Sequence, residues 1–380
     1  MRVPAMMKVP AETDFTGRWH DERVASRVGL WLAVSFSICF VTGLLSHLIQ
    51  HPVWWFAWPA RPVWLYRATQ GTHVLSGIAA VPLLLVKLWT VYPRLFVQPP
   101  LKSAVHALER LSVLVLVSAA LFELVSGLQN IAHWYPWGFS FPPAHYAVAW
   151  VTIGALLLHL AVKLPAIRRG LSTPMEPVAL VAGEVSRRWL LGGAAAGVGA
   201  AVLATAGMTV PWLRRVSVLA VRTGTGPQGV PVNKSAIAAG VIGSAQDPGW
   251  RLEIIGPSGR ISLSRAELLA LPQHRAQLPI ACVEGWSAAA TWSGVRVCDL
   301  VARVGAPPGA QVRFSSLQQG GIYRVSVLPA RHVRDELSLV ALRINNADLD
   351  LDHGFPCRLI TPSRPGVLQT KWLSRLEVLT

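Results

Sequence analysis

The chain has 380 residues, of which 52% are hydrophobic and only 14% charged, against about 25% charged in an average soluble domain. This composition excludes a disordered chain, a coiled coil and an ordinary water-soluble globule, and the length allows two or three domains. Four cysteines, none in a C-x-x-C pair, exclude a disulfide scaffold and a thiolate zinc ribbon.

Five apolar stretches, at residues 28–48, 69–91, 104–128, 144–162 and 189–210, are long enough to cross a bilayer core of about 30 Å. Beyond residue 214 there is no such stretch. The remainder reads as short β-type runs, at 251–255, 311–315 and 323–328, broken by Gly and Pro. The expected architecture is multidomain, with an all-α transmembrane helical bundle (four helices plus one tether helix) and a C-terminal α+β, β-rich domain. The expected divisions are a cytoplasmic segment over 1–27, the four-helix domain over 28–165, a cytoplasmic linker over 166–188, the fifth helix over 189–212 and the β-rich domain over 216–380.

Charge sets the orientation. Twelve Lys and Arg lie before the first stretch, between the second and third, and between the fourth and fifth; only Arg61 and Arg67 lie in the other two connections. Those two connections hold Trp54, Trp55, Trp58, Trp64, Trp134 and Trp137, as an aromatic belt at one interface would. The positive-inside pattern puts the N-terminus in the cytoplasm and, after five crossings, the C-terminal domain outside. That domain carries 17 basic and 11 acidic residues with no basic run, so the net charge of +16 does not point to nucleic acid.

Ionisable residues within a bilayer are costly and functional by default. His145 and His159 stand 14 residues apart on one helix, so they share a face to within about 40° and are separated by about 21 Å of rise. Two stacked haems would need that spacing. Depth pairs His73 with His145 at the outer level and His106 with His159 at the inner one, and His47 competes with His73 for the outer site. Gly43 and Gly77 fall on the faces of His47 and His73, one turn deeper. The bland alternative is interfacial histidines bonded between helices, which is the reading for His51 and His133. Glu123 is either a proton-handling group or an interfacial residue. One or two haem b groups are expected.

The fifth stretch opens Ser186-Arg187-Arg188-Trp189-Leu190-Leu191. Twin arginines before a weakly hydrophobic helix resemble a twin-arginine export signal, and Ala204-Thr205-Ala206 resembles a cleavage site. The alternative is a pair of ordinary positive-inside arginines.

In the β-rich half, an apolar run from Leu278 delivers Cys282 to a turn containing Gly285, Trp286 and Ser287, followed by Trp292 and Gly294. Spacing alone leaves this cysteine a buried spectator, a nucleophile or a soft-metal ligand. This segment, together with the stretch from His353-Gly354 through Pro356, Arg358 and Pro362 and the run from Gly366 to Lys371-Trp372, resembles the sulfite oxidase superfamily of molybdopterin oxidoreductases. It is most similar to the bacterial branch containing the periplasmic methionine sulfoxide reductase catalytic subunit. The resemblance covers roughly residues 228–380. It implies that Cys282 is the thiolate ligand of molybdenum, and that Asn233, Lys234, His353, Arg358 and Lys371 bind the Mo-molybdopterin cofactor. Trp286 and Ser287 are expected to line the substrate pocket. Cys39, Cys298 and Cys357 are expected to be packing residues. The chain ends at Thr380 without the dimerisation domain of the sulfite oxidases, so a monomer is expected.

The N-terminal half is similar to bacterial four-helix cytochromes b, through Gly71-Thr72-His73, Lys87 to Pro93, and Trp134 to Trp137 followed by His145-Tyr146. Together the resemblances imply a protein of the bacterial inner membrane. The implied activity is an extracytoplasmic oxidoreductase exported by the twin-arginine route, with quinol supplying electrons through haem. Its expected substrate is a sulfoxide, free or protein-bound, methionine sulfoxide first. The alternatives are oxidation of a small substrate such as sulfite, or a non-enzymatic haem electron carrier whose molybdenum domain has degenerated.

Overall fold

The computed structural model describes residues 15, 18–97, 103–174, 186–220 and 226–379. Arg2, Lys8 and Lys102 of the charge count, most of the expected segment 1–27 and the linker residues 175–185 lie outside them. The chain divides into two compact units, Met1–Val41 with His73–Thr205, and Thr42–Thr72 with Ala206–Thr380. Residues 42–72 of the apolar half thus belong with the sheet domain.

The long helices among the described residues are α1 (Glu22–Gln50), α2 (Leu65–Val91), α3 (Ala104–Ala132), α4 (Phe141–Ser172) and α5 (Arg187–Ala206). All five are long and apolar enough to cross a membrane. Most extend beyond the expected apolar stretches, because polar residues such as Glu22, Arg23 and Arg169 continue a helix that an apolarity window cannot see. In the first unit, Val24, Val28, Leu83 and Leu191 pack α1, α2 and α5 together. Gly170 of α4 lies where a Cβ would meet Ser26 Oγ at 2.3 Å and the Glu22 carbonyl at 2.8 Å, so glycine permits that close helix crossing. Arg27 donates to the Gly170 carbonyl at 2.8 Å. Arg187, the first of the twin arginines, pairs with Asp21 at 2.9 Å.

The fifth helix ends at Ala206, four residues before the end of the expected apolar stretch and six before the expected end of the helix. A Cβ on Gly207 would meet Arg214 Cα and Ser217 Cβ at 2.8 Å. The backbone turns there instead: the Ala206 carbonyl accepts from Thr209 and Val210 N–H, and Gly207 N–H donates to Ser217 Oγ at 2.8 Å.

The second unit holds two sheets. The strands are β1 (Arg251–Gly256), β2 (Gly259–Ser264), β3 (His274–Ala281), β4 (Ser287–Arg296), β5 (Gln311–Ser316), β6 (Val325–Leu328), β7 (Leu339–Ile344), β8 (Ala347–Asp348), β9 (Arg358–Ile360) and β10 (Leu373–Leu379). One sheet has the order β2-β1-β10-β5-β6, and the other runs β3-β4-β7-β8 with β9 also paired to β7. Among the named strands of the described residues, β1 and β10 pair in parallel and the other neighbours are antiparallel. Alternating apolar residues supply the shared core: Leu252, Ile254, Phe314 and Leu376 from the first sheet meet Val295, Val340, Leu342 and Leu359 from the second. Tyr323, expected in a strand, lies instead in the short 3-10 turn Ile322–Arg324 that precedes β6.

The β4–β7 register shifts between Ser293 and Gly294, where a Cβ would stand 2.0 Å from the Val340 carbonyl oxygen. Gly294→Ala should destabilise the domain by about 1–3 kcal/mol through overpacking. Calorimetry of the purified protein should show a lowered melting temperature.

Candidate functional site

The β3–β4 hairpin presents Cys282 on a turn that closes on itself. Cys282 N–H donates to the Trp286 carbonyl at 2.9 Å, and Gly285 N–H donates to the Cys282 carbonyl at 3.1 Å. Gly285 takes a φ of 93°, a conformation that disfavours any side chain. The thiol is 1% exposed and faces a cavity of about 240 Å³. Asn233, Lys234, Trp286, His353, Arg358 and Lys371 line the same cavity.

Ser287 is not among the lining residues. It opens β4, where side chains alternate between faces. Its N–H donates to the Met208 carbonyl at 2.8 Å, and its buried hydroxyl has no partner among the described residues. Tyr323, Gln369 and Thr370 do line the cavity, although no spacing in the sequence marks them.

The cavity wall is cationic. Arg358, 3% exposed, donates to the carbonyls of His353 at 3.0 Å and Gln369 at 3.1 Å. Lys371 Nζ donates to the carbonyls of Lys234 at 2.5 Å and Asp352 at 2.9 Å. Among the described residues neither cation forms an ion pair. Burial pulls the Arg358 guanidinium down to about 9. Burial, reinforced by Arg358, pulls the Lys371 ammonium down to about 7. His353, bonded to the Pro227 carbonyl at 2.6 Å, is also lowered by burial.

Two glycines let the backbone close in. Gly354, with φ 106°, would carry a Cβ 3.0 Å from Lys371 Cβ, and a Cβ on Gly366 would lie 3.3 Å from the Ala281 carbonyl oxygen. A buried thiol sharing a cavity with buried Arg358 and half-buried Lys371, both held by backbone carbonyls, fits an anionic group that also offers a soft metal to sulfur.

The family model for the oxidoreductase molybdopterin binding domain matches residues 239–380. The C-terminal part of the chain is therefore a molybdopterin-binding domain of the sulfite oxidase superfamily. Mitochondrial sulfite oxidase of Mus musculus is 31% identical over 157 residues, which is 34% of this chain and 29% of that protein. The uncharacterized oxidoreductase YuiH of Bacillus subtilis is 30% identical over 130 residues, 34% of this chain and 64% of that protein. The chain thus spans less than a third of the sulfite oxidase's length. The solved sulfane dehydrogenase SoxCD of Paracoccus pantotrophus aligns at 22% identity with a TM-score of 0.32, over 34% of this chain and 38% of that one.

In the first unit, His73 and His145 come together, with ring centroids 6.3 Å apart at 79°. Two imidazoles on one metal stand about 6 Å apart between centroids, given metal–nitrogen bonds of about 2 Å. His73 Nδ1 lies 2.8 Å from the Cys39 carbonyl, and His145 Nδ1 lies 3.1 Å from Ser126 Oγ. These contacts fix the Nδ1 edge of each ring. In this structure His145 Nε2 meets Glu123 at 3.2 Å. Gly127 lies behind the His145 ring, and Gly77 faces Cys39 Sγ at 3.7 Å. His106 and His159 are both within electrostatic reach of Glu109, which pairs with Lys163. His47 lies in the other unit, its ring 4.5 Å from His51.

The low Lys371 value has a testable consequence. In cofactor-free protein, Lys371 loses its proton near pH 7, whereas the unfolded chain holds it to about 10.5. The unfolded state binds more protons in that window, so stability should rise with pH from about 7 towards 10. Melting temperatures of cofactor-free protein should show this rise, and Lys371→Met should reduce it.

Proposed function

We propose that the chain is a membrane-anchored, extracytoplasmic molybdopterin-dependent oxidoreductase that exchanges electrons with the quinone pool through b-type haem and reduces a sulfoxide. Its first substrate candidate is methionine sulfoxide, free or protein-bound. The observation that carries the reading is one cavity holding a buried cysteine opposite Arg358 and Lys371 in a domain of a molybdopterin-binding family.

The molybdenum cofactor, when bound, would supply two-electron oxygen-atom transfer, and haem would supply the one-electron steps that match it to a quinol. Cys282 would ligate the metal. Arg358, Lys371 and Lys234 would neutralise the cofactor's phosphate, with Asn233 and His353 completing the cradle. Trp286, 4% exposed, would form an apolar wall that excludes water from the reacting oxygen.

The membrane part of the reading is supported by the five long apolar helices and by the one-sided distribution of Lys and Arg. The twin arginines that open α5 support export of a folded domain, as a cofactor inserted in the cytoplasm requires. The haem part is supported by the His73–His145 spacing.

A second reading draws on the 31% identity to a mitochondrial sulfite oxidase. In it the same site oxidises a small substrate such as sulfite and electrons flow the other way. Steady-state assays separate the two: quinol-dependent sulfoxide reduction supports the first, and sulfite-dependent haem reduction supports the second. Cys282→Ser should abolish turnover in either direction, at least 10³-fold in kcat, and leave the haem spectrum unchanged. Retained turnover in that variant would overturn the assignment.

A further inference from the structure

The second unit includes the chain segment Thr42–Thr72, and that segment reaches the cysteine-bearing turn. Tyr66, 1% exposed, packs in one cluster with Ile49, Ala281 and Leu368. Its hydroxyl lies 3.0 Å from Ser46 Oγ and donates to Gln70 Oε1 at 3.3 Å. Gln70, 5% exposed, donates Nε2 to the Val283 carbonyl at 3.4 Å. Val283 directly follows Cys282. Nearby, Tyr323 of the cavity wall donates its hydroxyl to Gln50 Oε1 at 3.0 Å.

A buried amide and a buried phenol are costly unless their hydrogen bonds are made. Apolar residues of the same size would fill this space at lower cost. What the polar pair adds is direction. The Cys282 turn is closed on its own backbone by Gly285 and Trp286. It is held on one side where Ser287 N–H meets the Met208 carbonyl and Ala281 bridges Pro365. Gln70 supplies a further support, at the residue after the thiol.

We propose that Gln70, oriented by Tyr66, is a positioning residue for Cys282, so that the molybdenum site is built by residues 42–72 of the N-terminal half as well as by the C-terminal domain. This rests on the functional reading above. The pair fixes the thiolate's approach to the metal and touches neither metal nor substrate.

The test uses full-length protein purified from membranes. Gln70→Met keeps the volume and removes both amide functions, and Tyr66→Phe removes only the hydroxyl. In Gln70→Met, molybdenum content and the haem spectrum should match wild type. The electron paramagnetic resonance spectrum of the partly reduced molybdenum centre should shift. With an artificial dye as electron donor, kcat should fall about tenfold, the lower end of effects seen when a group supporting a metal ligand is removed, while KM stays within about twofold. Tyr66→Phe should move both readouts in the same direction by less. Arg61→Gln, which breaks the Arg61–Asp335 ion pair of the same segment, should leave both unchanged. A molybdenum-loaded Gln70→Met protein with the wild-type spectrum and kcat would overturn the positioning role, as would an equal effect of Arg61→Gln. If Gln70→Met does not accumulate, a wild-type spectrum and kcat in Tyr66→Phe overturn it. Wild-type protein without molybdenum would instead end the functional reading on which the proposal rests.

Discussion

A buried Arg358 and a half-buried Lys371, neither in an ion pair among the described residues, set the constraint on which the cavity of the second unit is organised. Arg358 and Lys371 are held by backbone carbonyls of His353, Gln369, Lys234 and Asp352. Carbonyl dipoles keep such groups in place without neutralising them, which is why burial lowers the proton affinity of both. The arrangement stores a demand for an anion within the cavity that Cys282 faces. A structural core would satisfy itself with an ion pair or with apolar side chains; a cofactor cradle leaves the charge for its guest.

The fold serves this constraint from several directions in sequence. β3 and β4 deliver the cysteine turn, the stretch from His353 through β9 to Trp372 delivers the cations, and the segment before Asn233 closes the wall. Residues 42–72 then anchor to the outside of the same domain. Trp58 donates to the Ser363 carbonyl at 2.8 Å, Arg61 pairs with Asp335 at 2.9 Å, and Gln70 meets Val283. Three polar contacts spread over 13 residues make this segment part of the domain, as its apolar cluster around Tyr66 also indicates.

Much of this was legible in the sequence, for physical reasons that differ by element. The long helices announced themselves because each is apolar over a length that could cross a bilayer, and only their polar ends were missed. Cys282, Arg358 and Lys371 were marked by a motif resemblance, and the cavity gathers them. Ser287 was expected in the pocket, like Trp286, because both follow Cys282, but it opens β4 and is not among the residues lining the cavity. At the early end of α5 the chain folds back so that Gly207 N–H meets Ser217 Oγ, with no room for a Cβ on Gly207, an approach that no local pattern encodes. The role of residues 42–72 was illegible because its contacts join positions more than 200 residues apart, such as Gln70 with Val283. The one available signal was Gln70 itself, an amide beside an apolar helical stretch that needed a partner.

The central claim is that the Cys282 sulfur binds molybdenum. X-ray absorption at the molybdenum edge measures this directly, by counting sulfur neighbours in the purified protein. The account predicts three, two from the pterin dithiolene and one from Cys282, falling to two in Cys282→Ser. The same sulfur count in both proteins, or no molybdenum in the wild type, would contradict it.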